Sequence, residues 1–540
     1  MTDAMSERGQ RLTALASRRF DLLVIGGGIT GCGIAREAAL AGVSVALVEK
    51  NDFASGTSSR SSRLIHGGVR YLEHGQLHLV FESSAERRQL LRLAPHLAHP
   101  LEFTWPVYAG ARIPRWKLGA GLMLYDALSL FRNVGRHGRL SQRGVLEREP
   151  MLQPNGLLGG AHYYDAATND SRLTLANAIG AAEAGAITLN HAAVTALVTD
   201  AGRVAGATIR DAFSERSIEV RASVVVNATG PWSDALRHLD GETGPAVRGS
   251  KGAHIAVPRE RIGNRDALTL LSPVDGRVLF VLPADKHAIV GTTDSYTSAS
   301  PDDVRATTDD VQYLLTAANS FFPAAQLTPN DVISAWAGIR PLVATGGDTP
   351  GAASREHAVT TSPRGLVSIT GGKLTTYRVM AADVLDVVLA RIHQTPPSRK
   401  ARSLHLPGGD FDSLDTLIAR ATTATNDAAM ARRLVTTYGT RWTAAWAQIQ
   451  QPGGGVIVAD GLPYTIGELR YGAINEMAYT LGDLLIRRTH IAFETSDHGL
   501  AAAERAAVAL SELFGWDASA RRDAIQTYAL EAERMFAIDS

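Results

Sequence analysis

Cysteine, net charge and long apolar runs are all scarce in this chain, and each scarcity excludes a class of protein. Cys32 is the one cysteine among 540 residues, so no intramolecular disulfide can form, which fits a reducing compartment. Lys plus Arg equals Asp plus Glu, 54 against 54, so net charge gives no argument for binding nucleic acid. No run of about 18 uninterrupted apolar residues occurs, so no segment is a candidate for a membrane-spanning helix. No His, Cys, Asp or Glu spacing matches a metal motif, so we expect no metal site.

The N-terminal residues lack the apolar core of a secretory signal. Residues 1–19 are polar and basic, so we expect a flexible tail there. The chain has 540 residues, of which 45% are apolar, and this is enough for two or three domains around a substantial core.

The most informative stretch, Asp21 to Glu49, contains a complete βαβ pattern. Its first apolar strand ends in the turn Gly26–Gly31, GGGITG, which leads into a helical pattern and a second apolar strand. Glycines at this spacing allow a tight turn, close approach of a pyrophosphate and close packing of helix on strand. The helix N-terminus offers free N–H groups and a partial positive charge to phosphates. The pattern predicts a dinucleotide site and does not by itself decide between FAD and NAD.

Later segments favour FAD. Glu49 ends the second strand, where an acid accepts hydrogen bonds from an adenosine ribose. Residues 188–197 predict a strand and turn around Val194, which would place a backbone group on the adenine. The apolar strand 217–226 ends in Ala228-Thr229-Gly230 and brings bare backbone to the dinucleotide a second time.

The segment after Glu49 has two interpretations. Residues 52–63 are rich in Gly, Ser and Arg, which is typical of a solvated loop or of a loop that wraps a pyrophosphate or flavin. Gly67 and Gly68 then permit close approach of the backbone to a flat ligand. Arg70 follows them as a candidate anion clamp.

The pattern in residues 246–300 predicts an antiparallel sheet over a substrate pocket, since its strands alternate in polarity and end at Gly or Pro. His254 lies in one of these strands, where a single histidine is usually structural. In the strand 333–342, Gly338 would allow contact with the flavin edge, and Arg340 would extend beside it.

A glycine pair precedes the last helix of this region. Gly371 and Gly372 leave the N-terminus of a predicted helix, 374–392, open toward a ligand, so its dipole would stabilise negative charge on the flavin. Lys373 is either a solvated first-turn lysine or a group that binds flavin or substrate.

Two further segments are open to alternatives. Residues 112–139 have an apolar centre between basic flanks, which suits a helix in a membrane interface or a packed helix with solvated basic ends; Asp126 argues against deep insertion. Residues 402–540 have helical periodicity and predict a separate C-terminal domain. Its charges at 468–487 indicate a solvated or interdomain face.

The motifs occur in an order that resembles the FAD-dependent glycerol-3-phosphate dehydrogenase family. They are GGGITGCGIA, GTSSRSSRLIHGGVRYLEHGQLHLV, KGAHIAVP (251–258), VGTTD (290–294), AGIRPL (337–342), TGGKLTTYR (370–378) and YTIGELRYGAINEMAYTLGDLLIRRT (464–489). The resemblance covers about residues 18–500. It implies an α/β fold in which a Rossmann-like FAD-binding domain, like those of glutathione reductase and D-amino-acid oxidase, interleaves with an antiparallel-sheet substrate domain and precedes a helical C-terminal domain.

The resemblance also implies domain bounds. We expect an FAD-dependent oxidoreductase region at 20–395, followed by the helical domain at 402–540. The FAD-binding segments are expected at about 20–82, 170–245 and 333–395, and the substrate segments at about 83–169 and 246–332.

The implied reaction is oxidation of sn-glycerol 3-phosphate to dihydroxyacetone phosphate, with hydride transfer to flavin N5 and a respiratory quinone as acceptor. The substrate would be held by Arg70, Tyr71, His254, Arg340, Lys373 and Thr375. His254 is the leading base, because an imidazole pKa lies near 6.5, and Arg340 would stabilise the developing alkoxide. The residues expected to bind FAD are Gly26, Gly28, Ile29, Thr30, Gly31, Glu49, Lys50, Thr57, Ser58, Ser59, Ser62, Leu64, His66, Gly67, Gly68, Val194, Ala228, Gly230, Trp232, Gly338, Gly372, Lys373, Leu374 and Thr375.

Three alternatives stay open. The first is an oxidase that passes electrons to O₂ and makes hydrogen peroxide. The second is an amine or amino-acid oxidase, against which the cationic set argues, and the third is a flavin-binding regulatory protein without turnover. The resemblance further implies a cytoplasmic protein that lies peripherally on the inner face of the cell membrane, and a homodimer through the C-terminal domain is open.

Overall fold

The computed structural model describes residues 3–69, 72, 75–130, 133–344, 356–395 and 404–540. They contain two large β-sheets with helices packed on them, a small sheet of two strands and a group of C-terminal helices. The strands in chain order are β1 (Arg19–Ile25), β2 (Val45–Val48), β3 (Leu64–Ile65), β4 (Ala98–Tyr108), β5 (Gly138–Leu140), β6 (Leu157–Thr168), β7 (Ile187–Leu189), β8 (Ala192–Asp200), β9 (Arg203–Asp211), β10 (Ser217–Asn227), β11 (Val247–Pro258), β12 (Ala267–Leu271), β13 (Val278–Ala284), β14 (His287–Gly291), β15 (Ser295–Tyr296), β16 (Ala306–Thr307), β17 (Ser334–Val343), β18 (His357–Thr361), β19 (Val367–Gly371) and β20 (Ile538–Asp539). The α-helices in chain order are α1 (Asp3–Ser17), α2 (Ile29–Leu40), α3 (Leu77–Leu93), α4 (Arg115–Leu128), α5 (Gln142–Arg148), α6 (Asp170–Glu183), α7 (Ser233–Leu239), α8 (Arg259–Ile262), α9 (Thr308–Phe321), α10 (Tyr377–Arg391), α11 (Leu414–Thr425), α12 (Ala428–Tyr438), α13 (Trp442–Ile449), α14 (Ile466–Asn475), α15 (Ile491–Glu494), α16 (Leu500–Ala509), α17 (Ser511–Phe514) and α18 (Ala518–Phe536).

The first sheet has eight strands and contains the dinucleotide pattern. Its path is β18-β19-β10-β1-β2-β7, parallel from β19 to β7, while β18 joins β19 antiparallel and the pair β8–β9 extends from β10. Alternate residues of β1 enter different cores: Leu22 and Val24 pack with α2 and α10, whereas Leu23 and Ile25 pack on the opposite face. A parallel strand buried on both faces requires a continuous apolar run, which is what the sequence has.

The second sheet has ten strands and is mostly antiparallel. Its path is β15-β11-β14-β13-β12-β4-β6-β3, and β17 joins β11 along its length. This pairing places His254 opposite Trp336 and Ser250 opposite Arg340. Two sheets of these types, followed by helices α11 to α18, confirm the predicted fold class. Among the described residues, no helix is both long and apolar enough to cross a bilayer.

The predicted flexible tail is wrong for most of its length. Helix α1 packs on β7 and β10, and Leu15 is fully buried against that face of the sheet. The Arg8 guanidinium donates to Asp211 and to the His191 carbonyl at 3.2 Å, and it lies 4.9 Å from the Tyr479 ring. The polar composition hid an amphipathic helix whose buried arginine is neutralised by a carboxylate.

The predicted start of the helix at 374 is also wrong. Helix α10 begins at Tyr377 because Gly371 and Gly372 have φ of +76° and +80°, and the following residues form a turn. A left-handed backbone is one that glycine adopts readily and that interrupts a regular helix.

Candidate cofactor and substrate site

A cavity of about 700 Å³ is lined by residues of both large sheets. This volume is within the usual range for ligand sites. It brings together most of the residues that the sequence nominated, namely Gly26, Gly28, Ile29, Thr30, Glu49, Lys50, Thr57, Ser58, Ser62, Leu64, His66, Gly68, Val194, Ala228, Gly230, Trp232, His254, Gly338, Arg340, Gly372, Lys373, Leu374 and Thr375.

Glycine backbones form the wall where β1 passes into α2. Gly26 has φ of +111°, and a Cβ there would lie 2.6 Å from the Ala228 carbonyl oxygen. The two predicted nucleotide-facing turns therefore touch. A Cβ on Gly31 would lie 1.9 Å from the Gly26 carbonyl oxygen, so Gly31 serves helix–strand packing behind the cavity wall. The Ile29 N–H is not free, because it donates to Ser58 Oγ at 3.0 Å.

Glu49 stands at the end of β2 with its carboxylate folded back on the glycine turn. Its oxygens accept hydrogen bonds from Gly27 N at 2.6 Å and Asn51 N at 2.9 Å. Burial raises the pKa of Glu49, and these backbone N–H groups oppose that rise. The neighbouring Lys50 Nζ lies 4.3 Å from the centre of the Trp232 ring and donates to Asp302 at 2.6 Å.

This end of the cavity fits a dinucleotide. Backbone without Cβ atoms faces the cavity at Gly26 and Gly28, the N-terminus of α2 opens beside them, and a carboxylate lies at the end of β2. The glycine backbone and the N-terminus of α2 suit a pyrophosphate, and the carboxylate suits a ribose. Val194 of β8 lines the same region.

His254 lies deep in the opposite part of the cavity. Its ring is 2% exposed and stacks on Trp336, with centroids 5.4 Å apart and planes 10° apart. Nε2 lies 2.8 Å from Ser62 Oγ, and Nδ1 is buried without a hydrogen-bond partner among the described residues. Burial, with the positive charges of Arg340 and Arg63, lowers the pKa of His254 to about 3. The expectation of a pKa near neutrality is therefore wrong, and the imidazole is neutral.

Arg340 is held over the backbone of β11. A Cβ on Gly252 would lie 2.3 Å from its Nη2, so only glycine leaves room for the guanidinium. Arg340 Nη1 donates to Asp294 Oδ1 at 3.1 Å, and Nη2 donates to Thr292 Oγ1 at 3.0 Å. Asp294 also accepts a hydrogen bond from Ser250 Oγ at 2.5 Å. Asp294 and Thr292 thus fix the direction of this cation.

Lys373 and Thr375 approach from the turn before α10. Lys373 Nζ donates to Ser83 Oγ at 3.2 Å, and Thr375 Oγ1 donates to the His66 carbonyl at 3.5 Å. A Cβ on Gly372 would lie 2.3 Å from the Met380 sulfur, so this glycine also allows α10 to pack closely.

Several nominated residues lie elsewhere or serve another purpose. Arg70 and Tyr71 lie outside the described residues. Ser59 is buried, with Oγ 3.5 Å from the Gly56 carbonyl oxygen. A Cβ on Gly67 would lie 2.2 Å from Tyr125 Oη, so that glycine makes room for a tyrosine. Gly338 lines the cavity, and a Cβ there would lie 2.7 Å from the Arg60 carbonyl oxygen, so glycine also allows close packing on the loop; its contact with the flavin edge stays a prediction.

The cavity also contains residues that no sequence pattern indicated. Arg277 lines it and donates to the Asp294 carbonyl at 2.6 Å. Asp165 lines it and accepts hydrogen bonds from Gly67 N at 2.9 Å and from Arg87. Tyr163, Trp105, Thr269 and Phe280 complete this wall. Except for Arg277, these residues come from strands. The alternation of a strand sequence predicts a sheet but does not tell which face of the sheet lines the site.

Comparison with known proteins points the same way. A family model described as FAD dependent oxidoreductase matches residues 21–378, and one described as the C-terminal domain of alpha-glycerophosphate oxidase matches residues 399–521. The chain is 33% identical over 527 residues to the aerobic glycerol-3-phosphate dehydrogenase of Bacillus subtilis, covering 95% of both chains. It is 37% identical over 546 residues to the glycerol-3-phosphate dehydrogenase of Mycobacterium leprae, covering 98% of this chain and 90% of the relative.

Two solved structures extend this comparison. The glycerol-3-phosphate dehydrogenase from Bacillus halodurans, complexed with FAD, superposes with a TM-score of 0.82 at 31% identity, covering 98% of this chain and 97% of the other. The L-alpha-glycerophosphate oxidase from Mycoplasma pneumoniae, with FAD bound, has a TM-score of 0.55 at 17% identity and covers 69% and 95%, respectively. The second likeness extends to the fold alone.

Proposed function

The chain belongs to the FAD-dependent glycerol-3-phosphate dehydrogenase family, and from this premise we propose that it oxidises sn-glycerol 3-phosphate to dihydroxyacetone phosphate and passes the electrons to a respiratory quinone. It is a flavoprotein whose cofactor is FAD. The observation that carries the proposal is that Arg340, Lys373 and His254 line the same cavity as the dinucleotide-binding turns.

The charge of this cavity suits a phosphate ester. The phosphate of the substrate carries close to two negative charges near neutral pH, and Arg and Lys are the side chains that hold it. The carboxylates in this part of the wall are already paired, Asp294 with Arg340 and Asp165 with Arg87. An amine substrate would need an unpaired carboxylate here, so the pairing argues against the amine-oxidase alternative.

The proposed proton acceptor is His254. The flavin, when bound, supplies the hydride acceptor at N5. The neutral imidazole has a lone pair to take the hydroxyl proton, whereas the guanidinium of Arg340 has none to offer. Burial is the largest cause of the lowered pKa of His254, and the charges of Arg340 and Arg63 add to it. A bound phosphate dianion would offset these two charges, so substrate binding would make this ring a stronger base. Arg340 would bind the substrate phosphate and stabilise the developing alkoxide by charge-assisted hydrogen bonds.

The acceptor is tested by measuring both reactions in air. We expect glycerol 3-phosphate to drive reduction of a soluble quinone analogue at least about tenfold faster than it produces hydrogen peroxide. One observation favours the oxidase alternative: the family model that matches residues 399–521 is described as the C-terminal domain of alpha-glycerophosphate oxidase. Peroxide formed at the rate of substrate oxidation, with no acceleration by quinone, would establish the oxidase instead.

The proposed membrane contact is on α4. One face of this helix packs inward through Leu118 and Leu122, while the other exposes 72% of Trp116 and 59% of Met123. Asp126, which argued against insertion in the sequence, lies on the buried face. Exposed basic residues lie before, in and after this helix in the sequence, namely Arg112, Arg115, Lys117, Arg136 and Arg139. An exposed apolar helix face with cations nearby in the chain suits the inner face of a membrane with anionic lipids.

Partitioning onto vesicles of anionic phospholipid tests this contact. Replacing Trp116 with Ser is expected to lower the partition coefficient about tenfold, because an indole would no longer enter the lipid. Val508, which is 64% exposed in the C-terminal domain, gives the matched control Val508→Ser. Equal partitioning of both variants and the parent protein would place the contact elsewhere.

A further inference from the structure

The loop after β2 is held by a buried ion-pair cluster that belongs mainly to the C-terminal domain. Asp52 accepts hydrogen bonds from Arg487 Nε at 2.7 Å, and from Arg488 Nη1 at 2.6 Å and Nη2 at 3.0 Å. Asp483 accepts one from Arg487 Nη2 at 2.9 Å and lies 2.9 Å from His191 Nε2. Asp52 and Asp483 are fully buried, and the two guanidiniums are at most 4% exposed.

Three residues of the same cluster have side chains that can bind a metal ion. Donor atoms of Asp52, His191 and Asp483 all lie within 4.8 Å of one another. However, both oxygens of Asp52 already accept hydrogen bonds from Arg488, and Arg487 bridges Asp52 and Asp483. Two buried guanidiniums supply the positive charge that a cation would supply, so the cluster is an ion-pair network.

A second segment rests on this network. Asn190, in the turn between β7 and β8, donates from Nδ2 to Asp52 Oδ1 at 2.9 Å and to the Met477 carbonyl at 2.9 Å. The next residue, His191, donates its backbone N–H to the Asn51 carbonyl at 2.7 Å. The loop after β2 and the β7–β8 turn are therefore tied to each other and to the C-terminal domain.

Both segments reach the cavity within a few residues of the network. Asn51 N donates to Glu49 Oε1 at 2.9 Å, and Ala192 N donates to the Glu49 carbonyl at 2.7 Å. Glu49, Lys50, Ala192 and Val194 line the part of the cavity that fits the adenosine half of a dinucleotide. The side chain expected to bind the ribose is thus hydrogen-bonded to Asn51, the residue before Asp52, which the C-terminal domain holds.

We propose that Asp52, Arg487 and Arg488 are positioning residues for FAD, through which the C-terminal domain holds Glu49 and the β7–β8 turn in the arrangement that binds the adenosine half. Removing one member leaves a buried charge without its partner, and the loop that carries Glu49 then shifts or loosens. This role depends on FAD as the cofactor and is independent of the substrate and the electron acceptor.

Release of FAD from the holoenzyme tests the proposal. Asp52→Asn is expected to release FAD at least about tenfold faster than the parent protein. The rise in flavin fluorescence measures the release, and far-UV circular dichroism checks that the variant stays folded. The matched control is Arg433→Met, which breaks the Arg433–Glu468 pair, an ion pair largely buried within the C-terminal domain. The control should release FAD at the parental rate. If Asp52→Asn fails to fold, Arg488→Lys replaces it. Lysine keeps the positive charge but cannot make the two parallel hydrogen bonds to Asp52, so this variant is also expected to release FAD faster.

A double-mutant cycle separates positioning from general destabilisation. If Asp52 acts through Glu49, then Asp52→Asn should accelerate FAD release by less than about threefold in a Glu49→Gln background. Equal acceleration in both backgrounds, or no acceleration in the parent, would overturn the proposal. Anaerobic reduction by glycerol 3-phosphate is a separate readout, so failure of the proposed reaction would leave these release rates interpretable.

Discussion

His254→Asn is expected to slow reduction of the bound flavin by glycerol 3-phosphate by about 10²–10⁴-fold, the usual contribution of a general base. The asparagine keeps a polar group beside Ser62 but cannot accept the hydroxyl proton as imidazole does. FAD content should stay at the parental level, because His254 is not among the residues expected to bind FAD. Stopped-flow absorbance under anaerobic conditions gives the rate of flavin reduction. Ser62→Ala, which removes the hydroxyl beside His254 but keeps the imidazole, is the control and is expected to have the smaller effect. A His254→Asn rate within about threefold of the parent would exclude His254 as the base.

The lowered pKa of His254 also predicts how kcat/KM depends on pH. The free-enzyme pKa is about 3, so the ring stays neutral as the pH falls from 8 to 5 and loses no basic form in that window. The profile of kcat/KM, which reports the free enzyme, should therefore show no inflection from this histidine. The second ionisation of the substrate phosphate, near pH 6, acts equally on the parent and on His254→Asn. An inflection present in the parent alone would contradict the neutral ring.

Arg340→Ala is expected to raise KM for glycerol 3-phosphate by about 30-fold or more, following the roughly 2–5 kcal/mol typical of truncating one partner of a largely desolvated charge pair. The variant loses a cation for the phosphate and leaves Asp294 without the guanidinium 3.1 Å away. Arg340→Lys keeps the charge but not the forked geometry, so it should recover only part of the loss.

Steady-state kinetics with a quinone analogue measures this effect, and Asp294→Asn is the informative companion. Asp294 accepts a hydrogen bond from Arg340 and orients it, so its substitution should raise KM less than Arg340→Ala does. Unchanged KM in Arg340→Ala would remove this residue from the proposed anion site.

The sequence was most informative where geometry is local. The glycine turn at Gly26–Gly31, the strand that ends on Glu49 and the strand that ends at Ala228 each form one continuous segment, and all three meet in the cavity. Their chemistry depends on backbone conformation and on spacing along the chain, which a single sequence displays.

Other features depend on contacts between distant segments and could not be predicted. Asp165 reaches the cavity through the pairing of β6 with β4, and a shift of one residue in register would turn it away. Arg277 reaches it from the residue before β13. The pKa of His254 depends on burial and on Arg63 and Arg340, which are far from it in sequence. The helix at Asp3–Ser17 was missed because the partner of its buried Arg8 is Asp211.

The charges at 468–487 illustrate an intermediate case. The sequence indicated a solvated or interdomain face, and the structure shows Arg172 of α6 bonded to Glu476 at 2.6 Å, with both side chains buried. The interdomain part of that interpretation is correct. The solvated part is wrong for Asp483 and Arg487, because their partners lie one turn away and in the loop after β2.

The central claim is that one cavity brings glycerol 3-phosphate to FAD. An absorbance spectrum of the purified protein, taken without oxygen before and after addition of glycerol 3-phosphate, tests it most directly. We expect the oxidised flavin band to bleach with about one substrate molecule per flavin and dihydroxyacetone phosphate to form. A flavin that stays oxidised with excess substrate, while chemical reductant still bleaches it, would contradict the claim.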